Sequence, residues 1–455
     1  SKTDHSSWQA LTEPERQHVV NNYRLAYQQE VTVNWCPGLG TVLANEEVTA
    51  DGKSERGDFA VYQRPLKQWM LRITAYAERL LGDLDDEVLP DGRGETYRLD
   101  WPEATKMMQR NWIGRSEGGE VRFGVLDANG QATASDLLVF TTRPDTLFGA
   151  TFMVVAPQHP LVSADDASYA VPEHWPEGTD ARWKGDDSTL GIRAAVATYV
   201  RQAEEARAEK ATDRSLVEQD KTGVFSGIWA SNPVNGDRIP VFVADYVSME
   251  YGTGAIMAVP AHDDRDHAFA TKYGLQIVEV VQAPEVVEEA CYTGDGVAIN
   301  SPASQTDSPF AITGLPTPEA KKKIITALES AGVGRAAVSY RLRDWIFSRQ
   351  RYWGEPFPLA QHPDGYAVAT DLPVTLPEMS DFRPTTSEDP NTPVSSPLSR
   401  ADQEWSLVDV DGSECRRELN VMPQWAGSCW YYLRFIVPSN KEDFCDAKQE
   451  QFFMP

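Results

Sequence analysis

Nowhere in this 455-residue chain do eighteen apolar residues come close to following one another, so it offers no candidate for a membrane-spanning helix. Cysteine is scarce and scattered. Cys36, Cys291, Cys415, Cys429 and Cys445 stand singly, a usage that suits a reduced, cytoplasmic protein and offers no disulfide framework. Positive charge is short as well: 42 Lys and Arg against 68 Asp and Glu leave a formal net charge of −26. Phosphate neutralisation needs lysine and arginine, so this balance argues against a generic nucleic-acid binder while leaving room for a local basic face. No charged start followed by an apolar core marks a signal peptide, and the first residue, Ser1, is not Met, as expected of a piece excised from a longer chain. No internal repeat is evident. The length suffices for two or three domains with substantial cores.

What is present is concentrated in two segments. Residues 141–149 read Thr-Thr-Arg-Pro-Asp-Thr-Leu-Phe-Gly and follow the short apolar run 137–140, which reads as a strand. The turn hangs the hydroxyls of Thr141, Thr142 and Thr146, the Arg143 guanidinium and the Asp145 carboxylate off a strand end, where backbone polar groups can also face a ligand. Pro144 fixes one backbone angle and lowers the entropy cost of holding them there. The same residues also suit a Thr/Asp-capped turn with no further role.

The second segment, residues 251–266, runs from Tyr251 through two glycines and a small apolar run at 255–259 into Pro-Ala-His-Asp-Asp-Arg-Asp. The spacing of Phe269 and Tyr273 up to Gly274 predicts a short helix stopped by glycine, with Asp263 as its N-cap and Asp266 at the third helical position. An aspartate there can simply complement the orphan N–H groups and the helix dipole.

Together the two motifs resemble the editing domain of the leucyl-tRNA synthetase family. Residues 106–117 (KMMQRNWIGRSE) are similar to that family's lead-in to the inserted domain, and residues 341–354 (RLRDWIFSRQRYWG) to its return to the catalytic core. Residues 422–434 (MPQWAGSCWYYLR), 33–36 and 72–81 (RITAYAERLL) match as well, so the resemblance runs in order from about residue 20 to the end. Isoleucyl and valyl relatives usually carry Trp after Thr-Thr-Arg-Pro, so Asp145 and the run 257–263 favour the leucyl branch. The resemblance implies an α/β core, incomplete and Rossmann-like, with an inserted β-barrel-plus-helices editing domain. Residues 1–112 and 340–455 would be partial core, with an irregular excursion at about 361–415, and 113–339 the editing domain.

That family faces near-isosteric amino acids, and one methylene in an apolar pocket discriminates by only about 1–3 kcal/mol. The resemblance therefore implies a second site that hydrolyses tRNA-Leu mischarged with isoleucine, norvaline or methionine. By position, Asp266 matches the carboxylate that anchors the substrate ammonium, and Thr146 the side chain that blocks leucine. Met257 and Val259 would line the pocket, with Tyr251, Asp263 and His262 in support. Thr141, Thr142 and Arg143 match the loop beside the scissile ester. No nucleophile–base pair of the Ser–His kind occurs in these motifs, which points to a positioned water, with His262 as either base or structural residue. No cofactor is implied for editing; leucine and ATP with Mg belong to the intact parent. Its His-x-Gly-His and Lys-Met-Ser-Lys-Ser signatures are absent here, and Trp425 resembles a remnant of the synthetic leucine pocket. Related zinc modules carry paired cysteines near 36–60 and 360–415; neither region does here, so no structural zinc is expected. The parent is expected to be a cytoplasmic monomer with no membrane association.

Periodicity predicts helices over 13–29 (opened by Thr12 and Pro14), 66–81, from about 103 to before Trp112, 194–211 and 318–331, and strands near 121–126, 137–140, 151–155 and 239–243. Arg335, Arg341, Arg343, Arg349 and Arg351, interleaved with Tyr340, Trp345, Tyr352 and Trp353, fit either RNA contacts or a buried hinge.

Overall fold

The structure is a computed structural model that describes residues 8–49, 52–84, 89–90, 96–97, 99–127, 130–164, 166–212, 222–247, 253–284, 291–303, 306–389 and 391–453. The chain divides into two compact units, one formed by 81–207 with 217–342, the other by 1–80, 208–216 and 343–455.

The central unit opens on α1 (Glu103–Ile113), closed by Gly114 in the left-handed conformation. Its sheet contains β1 (Arg115–Leu126), β2 (Ala132–Thr141), β3 (Phe152–Val155), β4 (Val224–Ser231), β5 (Arg238–Val243), β6 (Ala255–Ala258) and β7 (Gly334–Tyr340). Three helices accompany it: α2 (Ile192–Thr212), α3 (Asp264–Tyr273) and α4 (Thr317–Ser330). The hydrogen-bonded order is β6-β3-β5-β4-β1-β7, with β2 also paired to β1; only β3 and β5 run parallel.

Alternation along the strands explains why this sheet holds together. Val121, Phe123 and Val125 of β1 are buried while Arg122 between them is exposed. β3 is buried on both faces, because Met153 and Val155 join one core with Ile192, Ile324 and Leu328, whereas Phe152 and Val154 join another with Phe225, Phe242 and Phe269. The second core is aromatic: Phe152 stacks on Phe269 at 5.1 Å, and Phe242 meets Phe269 edge-on at 5.3 Å. The sheet curls until β6 lies against β2, where the Thr253 hydroxyl reaches the Leu138 carbonyl. No backbone ladder joins those two strands among the described residues, so the expected barrel is not closed by hydrogen bonds.

The flanking unit differs from expectation. Its strands Trp345–Ile346, Tyr62–Leu71, Ala26–Cys36 and Thr41–Leu43 form one sheet, and Ala367–Ala369, Leu359–Gln361, Ser413–Arg417 and Leu407–Val410 another. Every pairing in both is antiparallel, so no Rossmann-like parallel sheet occurs among its described residues. Of the helix expected over 66–81, the first part to Leu71 is strand, and only the second part is helical, as one 3-10 turn and the short helix Ala77–Gly82. Leu66 packs with Val33 and Trp35 on one side, Trp69 with Phe347 and Phe357 on the other. A strand apolar on both faces mimics helical spacing. Likewise the first helix ends at Asn21, and the chain enters a strand at Ala26. The described residues of 372–396 carry no helix or strand, as the Pro and Ser content suggests. No described helix is long and apolar enough to cross a membrane.

Candidate functional site

The threonine-rich turn leaves β2 at Thr141 and folds into a 3-10 helix, Pro144–Gly149. Thr141 Oγ1 accepts the Arg143 amide at 3.0 Å, which bends the chain out of the strand. Thr146 Oγ1 donates to the Arg143 carbonyl at 2.9 Å, so its hydroxyl is fixed and its methyl direction with it. Thr146 is 2% exposed, whereas Thr142 is exposed at the turn's surface. The close approach of Thr141 to β1 requires Gly118: a Cβ there would lie 2.1 Å from the Thr141 carbonyl oxygen.

Arg143 is not a free cation. Its Nε and Nη2 donate to the buried Asp145 carboxylate at 3.1 and 2.9 Å. Its Nη1 reaches the Thr293 and Gly294 carbonyls at 3.0 and 3.2 Å. Most of its donors are thus committed within the protein. Asn232, fully buried, holds the same turn by donating Nδ2 to the Leu147 carbonyl at 2.8 Å.

The second motif arrives on β6 beside β3. Met257 and Val259 are buried in one core with Leu147 of the turn, and a Cβ on Gly149 would meet Val259 Cγ1 at 3.1 Å. The two motifs therefore meet. Beyond Pro260, Asp263 caps α3 by accepting the Arg265 and Asp266 amides at 2.9 and 3.1 Å. Asp266 Oδ2 accepts the Val259 amide at 2.9 Å. Its Oδ1 is buried and has no hydrogen-bond partner among the described residues. Burial, then the neighbouring Asp263 charge, pushes the Asp266 carboxyl up to about 7, against the Val259 amide and Arg265. A buried acceptor without a donor is costly, and a cation is the partner that such a carboxylate lacks.

His262 is committed elsewhere. Nδ1 lies 2.7 Å from the Tyr292 carbonyl oxygen, and Nε2 accepts the Val280 and Val281 amides, both at 3.0 Å. Of the two readings open for His262, base or structural residue, the ring's bonds suit the second, since Nε2 has no free lone pair. Burial holds its pKa below the ordinary histidine value, the Tyr292 contact opposing. Tyr251 lies outside the described residues. Trp425 belongs to the flanking unit, has φ 83 and is 64% exposed, so it is not a packed core aromatic. Of the arginine run, Arg349 is buried and donates to the Ile346 and Ser348 carbonyls, burial pulling it down to about 10, whereas Arg335 pairs with Glu120 at 2.5 Å.

Sequence reasoning missed the carbonyls of Tyr292, Thr293 and Gly294 and the amides of Val280 and Val281, which bind both motifs. Backbone groups leave no mark on side-chain identity. Asn232 was findable in principle, but it precedes Pro233 and reads as an ordinary turn.

Among the described residues no group of three or more His, Cys, Asp and Glu could hold a metal ion. The His-x-Gly-His and Lys-Met-Ser-Lys-Ser signatures do not occur in the sequence.

The family model described as leucyl-tRNA synthetase, editing domain, matches residues 110–175 and 191–329. The leucine–tRNA ligase of Salinispora arenicola is 50% identical over 461 residues, covering 99% of this chain and 46% of its own length. That of Rhodococcus jostii is 47% identical, covering 100% of this chain and 45% of its own length. The chain therefore spans less than half the length of the curated relatives it matches. Among solved structures, the ternary complex of agnB2 LeuRS from Agrobacterium radiobacter K84 with tRNA and LeuAMS superposes with a TM-score of 0.65. Its identity is 32%, covering 95% of this chain and 45% of that one.

Proposed function

We propose, for a chain that belongs to the leucyl-tRNA synthetase family and carries its editing domain, that residues 113–339 hydrolyse tRNA-Leu esterified to the wrong amino acid. The observation that carries this reading is Asp266, a carboxylate 4% exposed with one oxygen unpartnered and the other held by the amide of Val259, which packs at the end of the turn that holds Thr146. The α-ammonium of an aminoacyl ester supplies the missing charged donor. It is common to all amino acids, so Asp266 captures and does not select. Selection falls to Thr146, whose fixed methyl occupies the space that a leucine side chain needs, with Met257 and Val259 as the apolar walls.

In the reaction a water oxygen attacks the ester carbonyl carbon, the bond to the ribose oxygen breaks, that oxygen leaves with one of the water's protons, and the other proton passes to solvent. The free amino acid departs as its carboxylate. Thr141, Thr142 and nearby amides orient the water and stabilise the oxyanion, aided by the substrate's own ribose hydroxyl. Arg143 acts at one remove, through its hold on the turn. No step passes through ATP or Mg. In the intact parent, leucine, ATP and Mg serve ligation, in a cytoplasmic monomer. Trp425 is proposed as part of its synthetic pocket.

The test is release of isoleucine or norvaline from mischarged tRNA-Leu by this chain, with correctly charged tRNA as control. Asp266→Ala is expected to abolish release, and near-normal turnover in that variant would remove the assignment. A non-catalytic tRNA-binding piece predicts binding without release.

A further inference from the structure

Three consecutive carbonyls join the halves of the site. Tyr292 O takes His262 Nδ1 at 2.7 Å, and Thr293 O and Gly294 O take Arg143 Nη1 at 3.0 and 3.2 Å. One residue from each motif is thus held by the same stretch of backbone. His262 extends the clasp. Backbone amides can only donate, so the amides of Val280 and Val281, 3.0 Å from Nε2, assign the proton to Nδ1. Val280 in turn packs at Gly149, where an added Cβ would meet Val280 Cγ2 at 2.8 Å and Val259 Cγ1 at 3.1 Å. Val259 supplies the amide that holds Asp266. An unbroken path of contacts therefore runs from the imidazole to the end of the threonine turn and to the carboxylate.

We infer that His262 is a positioning residue that sets the distance between Asp266 and Thr146, and so the discrimination between esters, and that it is not the general base of the hydrolysis. The inference rests on the hydrolase reading above. A general base needs a free lone pair within reach of the attacking water. Nε2 already accepts two amides, and the ring is 8% exposed. What the ring can do from its place is hold spacing. An ammonium anchor and a steric wall select by side-chain length only while their separation is fixed. A slip of about 1 Å can cost on the order of 100-fold in rate, and selection between such near-isosteres is worth only about 10–200-fold in the first place.

The experiment compares the full 455-residue chain with His262→Ala and His262→Gln on tRNA-Leu carrying isoleucine or leucine, from pH 5.5 to 8.5. Glutamine retains an acceptor for the Val280 and Val281 amides. Alanine is expected to slow isoleucyl-ester hydrolysis by about 100-fold and to narrow the preference over the leucyl ester by about tenfold. Glutamine should recover most of both, with the pH of half-maximal rate unchanged. Imidazole ¹⁵N shifts should report a neutral Nδ1–H ring across the range. A glutamine variant as inactive as alanine, with the acid limb of the profile gone, would make His262 the base and overturn the inference. Loss of rate in alanine only in proportion to lost folded protein, with discrimination intact, would overturn it too. Wild-type protein inert toward mischarged tRNA would instead remove the hydrolase reading, whatever the imidazole spectrum shows.

Discussion

Asp266 is where residue chemistry and stability oppose each other. The groups facing it are Asp263 and Arg265 from α3 and Tyr246 from the loop after β5, whose own hydroxyl is raised by burial and then by the Asp266 charge. With its folded value up at about 7 and an ordinary value near 4, the folded state holds the proton more tightly than the unfolded state between those limits. Stability contributed here therefore falls as pH rises from about 4 to 7 and is level above. Hydrolysis, which needs the ionised carboxylate, should rise through about pH 7. Asp266→Asn is expected to flatten the stability slope and to stabilise the protein at pH 8 by roughly 1–3 kcal/mol while abolishing hydrolysis; thermal melts at pH 5 and 8 check it. Thr146 separates wall from hydrogen bond. Thr146→Val keeps the bulk and should still spare Leu-tRNA, whereas Thr146→Ala should let the domain attack it, as release of leucine from the correctly charged tRNA would report.

Elements hold these residues at their positions, and two can be tested. The N-cap of α3 is a carboxylate that both closes the helix and raises its neighbour. Asparagine caps as well as aspartate, so Asp263→Asn should leave stability within about 0.5 kcal/mol and move the acid limb of the pH–rate profile lower. An unmoved limb would mean that burial alone sets the Asp266 value. The departure of the threonine turn from β2 depends on Gly118, where any Cβ strikes the Thr141 carbonyl at 2.1 Å. Gly118→Ala should cost about 1–3 kcal/mol and lower hydrolysis more than the melting shift explains, because the clash displaces the threonines themselves. Denaturant unfolding alongside deacylation rates separates the two effects.

At the scale of the whole molecule, the central unit carries its own two cores on the faces of one sheet, aliphatic on one side and aromatic on the other. The flanking unit is antiparallel throughout its described residues, and its 425–453 stretch leaves Trp425, Trp430, Phe435 and Phe452 more than half exposed. The chain spans under half the length of its relatives, and its sequence lacks both synthetic signatures. ATP–pyrophosphate exchange with leucine is accordingly expected to be absent while deacylation is present; clear exchange would mean that the synthetic site is more complete here than its residues indicate.

Local chemistry was legible in the sequence wherever a single residue type answers a local need. The Asp263 cap, the Gly274 stop, the helices expected at 194–211 and 318–331 and the strands expected at 121–126 and 239–243 follow from spacing and from side chains that bond their own neighbours, although the first of these strands begins six residues earlier, at Arg115. So did the two motifs, whose polar groups crowd a strand end and a helix start. The 62–71 strand was not legible, because burial on both faces erases the period-two signal and only a partner strand fixes the choice. Nor was the clasp, since carbonyls 292–294 look the same in any sequence. The 455 residues by themselves determined which groups are available and what each could do; the fold alone decided that Arg143 is spent on Asp145 and on two backbone carbonyls, and His262 on backbone, while one oxygen of Asp266 is left without a donor, because partnership inside a protein depends on what a side chain meets at 3 Å and not on its own chemistry.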